Sequence, residues 1–123
     1  MTRTAQIEIA MMIDADHDAN PNDYLFQDPD YQQEDQRRFK AWQDGDWHFI
    51  GIRAKAQIKI PYGTNPECWI ISEMLSPGLW GVESDSGDAY VQQVYQEERD
   101  ILLDMLTSLC RVAAPVRCGE HSE

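Results

Sequence analysis

WHFIGIRAKAQIKIP, Trp47 to Pro61, decides the fold. Ile50, Ile52, Ala54, Ala56, Ile58 and Ile60 alternate with Gly51, Arg53, Lys55, Gln57 and Lys59. Successive side chains of a β-strand point to opposite faces. A period of two held from residue 50 to 60 therefore predicts a long strand, oily on one face and cationic on the other. Arg53, Lys55 and Lys59 then stand in a row, with about 7 Å between positions two residues apart. The row has two readings: a dock for an anionic partner, or a solvated sheet face whose charges pair with acids of the same chain.

The neighbours extend this strand into a sheet. PYGTNP, residues 61–66, is rich in turn formers, and CWIISEML, residues 68–75, reads as the antiparallel partner. Upstream, AQIEIAMMI, residues 5–13, reads as a further strand with Ile7, Ile9 and Met11 on its buried face. Asp14 to Asp30 is a polar loop, in which Tyr24, Leu25 and Phe26 form an apolar clip that tacks it to the body. YQQEDQRRFKAW, residues 31–42, lacks Gly and Pro and suits a short helix, ended near Gly45. Val91, Val94, Tyr95, Ile101, Leu102, Met105, Leu106 and Leu109 recur at helical spacing, which predicts a long helix over 86–110.

The order β-α-β-β-α implies an α+β fold. We expect a small antiparallel sheet of about three strands, packed on one face by the short helix and the long C-terminal helix. Residues 1–123 form a single acidic domain, with 14–30 as its polar loop and 111–123 as a flexible tail. A chain of this length buries about two thirds of the surface it exposes when unfolded, so neither metals nor disulfides are needed for a core.

Charge narrows the partners. Twenty-two acids against ten Lys and Arg leave a net of −12. Residues 1–36 contribute −8, residues 37–66 contribute +4 and residues 67–123 contribute −8. Such a surface repels phosphates, so DNA or RNA is disfavoured as a direct ligand and a basic, phosphate-binding protein is favoured. Three cysteines, Cys68, Cys110 and Cys118, cannot all pair within the chain and imply no disulfide framework. No secretory pattern or membrane-length apolar run is present. The expectation is a protein of a reducing cytoplasm, with no membrane partner and no cofactor.

LWGVESDSGDAY, residues 79–90, sets an apolar run against acids, serines and glycines. In one reading Ser84, Asp85, Ser86 and Asp88 cap the helix that follows, and Leu79 and Trp80 plug the seam between sheet and helix. In the other, Glu83, Asp85 and Asp88 hold a hard cation, helped by Asp14 or Asp16. Asp14, Asp16 and Asp18 match positions one, three and five of a calcium loop, but Ala19 and Leu25 stand where that loop needs Gly and Glu. Cys110, Cys118 and His121 match no zinc spacing. No nucleophile turn accompanies His17, His48 or His121, and we assign no catalytic residue.

GDWHFIGIRAKAQIKIPYG (45–63), SPGLWGVESDSGDAY (76–90) and the acidic helix after them resemble a family of small uncharacterised proteins of phages, plasmids and other bacterial mobile elements. The resemblance covers residues 40–109, with a looser match near Tyr24. It implies a genomic setting and carries over no functional residues.

Together these features predict a non-enzymatic interaction protein. It would inhibit a basic nucleic-acid-binding host defence factor, such as a CRISPR effector or restriction complex, by acidic mimicry of nucleic acid. The acids expected to make that surface are Asp14, Asp16, Asp18, Asp23, Asp28 and Asp30 in the loop, with Glu97, Asp100 and Asp104 on the last helix. Two rival readings are a metal-dependent enzyme built on the acidic clusters and a structural or assembly accessory of a phage or plasmid.

Overall fold

The computed structural model describes the backbone of residues 4–121 and the side chains of residues 4–110. Its elements run β1 (Gln6–Ala15), α1 (Gln32–Gln43), β2 (Phe49–Pro61), β3 (Trp69–Leu75), β4 (Leu79–Glu83) and α2 (Asp88–His121). Two short 3-10 turns, Pro21–Asp23 and Pro29–Tyr31, shape the loop between β1 and α1. Asn20 and Asp28 start them by accepting the N–H two residues on, which fixes the chain before each proline.

The fold is α+β, and β2 is its spine. β1 runs antiparallel along one edge of β2, from Gln6 opposite Lys59 to Ala15 opposite Ile50. The other edge is shared by two antiparallel strands. β3 pairs with Lys55 to Pro61, and β4 pairs with Phe49 to Ile52. The sheet thus has four strands where about three were expected. β4 escaped detection because its five residues do not alternate, Gly81 sits at φ +72° and the register slips between Ile50 and Ile52. A bulge of this kind erases the period-two signal.

The alternation in β2 builds the core. Ile50, Ile52, Ala54 and Ala56 are all buried, and they meet Val94, Leu102 and Leu106 of α2. The two alanines at the middle of β2 are small, which lets Leu102 approach the sheet closely enough to be fully buried. Ile9 and Met11 of β1 pack onto the same layer, as their spacing predicts, whereas Ile7, expected to be buried with them, is exposed at the end of the strand. α2 starts at Asp88 and its helical backbone runs through RVAA, residues 111–114, to His121, past the end near Cys110 that the apolar spacing predicts. RVAA holds no Gly or Pro, so nothing stops the helix at Cys110, although Pro115 and Gly119 further along are poor helix formers.

On the opposite face of β2 stand Phe49, Gly51, Arg53 and Lys55. Tyr24 lies against Phe49 with ring centroids 5.1 Å apart, and Trp47 meets the same ring edge-on at 5.0 Å. Trp80 covers Gly51 so closely that a Cβ there would fall within its ring. Trp80 therefore seals the face away from α2, not the sheet–helix seam assigned to it from sequence. The apolar clip does tack the loop down, Tyr24 on Phe49 and Phe26 on Phe39. α1 sits at the Trp47 end, where the Trp47 indole N–H donates to the Arg38 carbonyl. Among the described residues no helix is long and apolar enough to cross a membrane.

Candidate functional site

Among the described residues the acids meet one of two fates: they are spent on an internal partner, or they face solvent unpaired. The Glu83–Asp85 pair has the first. Arg38 Nη2 lies 2.6 Å from Glu83 Oε1 and 2.5 Å from Asp85 Oδ1. Arg38 Nε adds a bond to Glu83 Oε1 at 2.8 Å, and Nη1 one to Asp85 Oδ2 at 2.6 Å. The guanidinium also lies 4.0 Å from the centroid of the Trp47 ring. A planar fork between two carboxylates, backed by an aromatic face, is the geometry that Arg alone supplies. The hydrogen bond from Arg38 holds the Asp85 carboxyl below its usual range, and Asp85, then Glu83, push Arg38 well above its own.

The cation held by Glu83 and Asp85 is therefore a side chain of the protein itself. Asp88 stands apart from this clamp, in the first turn of α2, where the helix dipole favours a carboxylate. The capping roles expected of the serines are also reassigned. Ser84 Oγ accepts the His48 N–H, and Ser86 Oγ donates to the Glu83 carbonyl, closing the turn before the helix. Among the described residues no three His, Cys, Asp or Glu side chains form a group that could hold a metal ion.

Two loop acids are spent in the same way. Asp14 Oδ2 lies 2.8 Å from Arg53 Nη2. Asp16 uses both oxygens on backbone, one on the N–H groups of Asp18 and Ala19 and the other on that of Gly81 at 2.8 Å. Asp28 caps a turn, while Asp18, Asp23 and Asp30 are exposed and make no side-chain bond among the described residues. Because Tyr24 lies on Phe49, this loop occupies the sheet face opposite α2. The cationic row is spent too: Arg53 on Asp14, Lys55 on Glu73 at 3.0 Å, and Lys59 Nζ 5.2 Å from the centroid of the Trp69 ring.

Glu97, Asp100 and Asp104 have the second fate. They are exposed on α2, on the side away from Val94, Leu102 and Leu106, and have no hydrogen bond or ion pair among the described residues. Their axial steps are about 4.5 and 6 Å. The acids expected to form one surface thus divide into a loop group on one side of the sheet and a helix row on the other.

Glu98, next to that row, was missed from sequence. It is buried, and its Oε1 accepts the Ser76 hydroxyl at 2.8 Å and the Gly78 N–H at 2.6 Å. Ser76 Oγ in turn accepts the Ala54 N–H at 2.9 Å. Glu98 therefore repairs the ladder where β3 gives way to β4. Its signal was its place four residues from both Val94 and Leu102, on the core face of the helix. Arg38 left no comparable signal, since α1 has no buried stripe.

Cys110 is exposed at the margin of a groove between β1 and α2, and the side chains of Cys118 and His121 lie outside the described residues. No family model, curated protein or solved structure matches the chain.

Proposed function

We propose that this chain is a non-enzymatic interaction protein that engages the phosphate-binding surface of a basic, nucleic-acid-handling protein through α2. The observation that carries the reading is the contrast between committed and uncommitted carboxylates. Asp14, Asp16, Glu83 and Asp85 are satisfied inside the fold. Glu97, Asp100 and Asp104 are held in a row on a rigid helix with their charge facing solvent. A row of fixed carboxylates competes with phosphates for Lys and Arg, and the net charge of −12 steers a cationic partner toward it from a distance. Asp18, Asp23 and Asp30, on the other side of the sheet, add to that steering field without sharing the contact.

The narrower target is a host defence factor such as a CRISPR effector or restriction complex, inhibited by mimicry of nucleic acid. That part of the proposal draws on the resemblance to mobile-element proteins. The test is capture of a partner from a bacterial lysate, followed by titration of the purified pair with salt and with competing nucleic acid. Affinity should fall steeply with ionic strength, and DNA or RNA should displace the protein. Affinity indifferent to both overturns the proposal.

A further inference from the structure

We infer that β1 is a dimerisation edge, along which two copies of this chain pair antiparallel across a two-fold axis at Ala10. The inner edge of β1 is paired with β2 over all ten of its residues, and its outer edge pairs with no strand among the described residues. Open edges are normally blunted by Lys, Pro, bulges or a covering element. QIEIAMMIDA has no Lys or Pro, and its register with β2 is unbroken. Of its two charges, Asp14 is already committed to Arg53.

The register follows from parity. Opposed residues in an antiparallel pair share a face and a hydrogen-bonding class, so odd positions must meet odd and even must meet even. Placing Ala10 opposite Ala10 sets Ile7 against Ile13, Ile9 against Met11 and Glu8 against Met12. Shifting the axis to Met11 would oppose Glu8 with Asp14, two acids face to face. Shifting it to Ile9 would leave Ile13 opposite Ala5, outside the strand. The Ala10 register buries apolar positions without opposing like charges.

The apolar positions are complementary under this symmetry. Ile7 and Ile13, at opposite ends of β1, are 51% and 52% exposed, both on the α2 side of the sheet. At the Ile7 end α2 leaves a groove of about 420 Å³ lined by Ile7, Ile9, Leu103, Leu106, Thr107 and Cys110. The two-fold brings the partner's Ile13 to this groove, and the exchange occurs twice. The contact is isologous, the usual form of a two-copy interface. It is independent of the Glu97–Asp104 row, which stays on the solvent side of each helix.

Sedimentation equilibrium of the full chain from about 1 μM to about 1 mM spans weak and strong self-association. It should give twice the chain mass of 14.2 kDa at the upper end. Ile13→Lys and Ile7→Lys should each return the monomer mass with an unchanged far-ultraviolet circular dichroism spectrum. With Cys68→Ser, Cys110→Ser and Cys118→Ser in place, Ala10→Cys should cross-link to itself on mild oxidation, because directly opposed strand residues lie within about 4.5–5.5 Å between Cα atoms. Met12→Cys, which faces Glu8 in this register, should not. A monomer at every concentration overturns the inference, as does a dimer that survives Ile13→Lys or one in which Ala10→Cys fails to cross-link.

Discussion

Glu98 of α2 accepts the Ser76 hydroxyl at 2.8 Å, so a helix side chain closes the gap in a strand ladder. The same oxygen takes the Gly78 N–H, and Ser76 passes the chain on to Ala54. Glu98→Ala would strand a buried hydroxyl and an amide at once, a loss of about 2–4 kcal/mol. Glu98→Gln keeps a carbonyl acceptor in place and should lose about half as much or less. Chemical denaturation of the two variants checks this. Equal losses would mean that the site is held by packing and not by the acceptor.

The Arg38 clamp should leave a pH signature. Asp85 titrates lower in the folded chain than in the unfolded one, because Arg38 donates to its charged form. Its contribution to stability is therefore present above the unfolded carboxylate value of about 3.9 and is lost as pH falls through the depressed folded value. Arg38→Ala should cost about 1–2 kcal/mol near neutrality, since the pair is part exposed and the Trp47 contact is lost with it. The stability difference between wild type and Arg38→Ala should be flat from about pH 5 to 7 and shrink below about pH 4. Thermal melts across that range measure it.

Gly81 joins two close approaches. Its φ is +72°, its N–H is held by Asp16, and the Tyr24 hydroxyl sits where a Cβ would go. Gly81→Ala must therefore strain the backbone and push Tyr24 off the sheet, and should cost about 1–3 kcal/mol. Residues 16–31 should become sensitive to proteolysis before the rest of the chain. Loss of stability without that local sensitivity would place the damage in β4 alone.

Legibility from sequence followed the range of the interactions. β2 declared itself because alternation over Ile50 to Ile60 is a local pattern, and the apolar spacing from Val91 to Leu106 did the same for α2. β4 did not, because a bulged five-residue strand has too little period to read. The fate of the acids was illegible for a different reason. Whether Asp85 caps, binds a cation or clamps Arg38 depends on a residue 47 positions away, brought close only by the sheet. Asp14 and Arg53 are likewise joined by strand register and not by spacing. Glu97, Asp100 and Asp104 were easier, since their position on the outer stripe follows from the helical period alone.

The most direct test of the account neutralises one group of acids at a time and measures affinity for the captured basic partner at low and at physiological salt. Glu97→Gln, Asp100→Asn and Asp104→Asn together should weaken binding and flatten its salt dependence. Glu83→Gln with Asp85→Asn should leave binding nearly unchanged while lowering the melting temperature. Equal binding by the helix triple variant and the wild type would contradict the assignment of α2 as the contact surface.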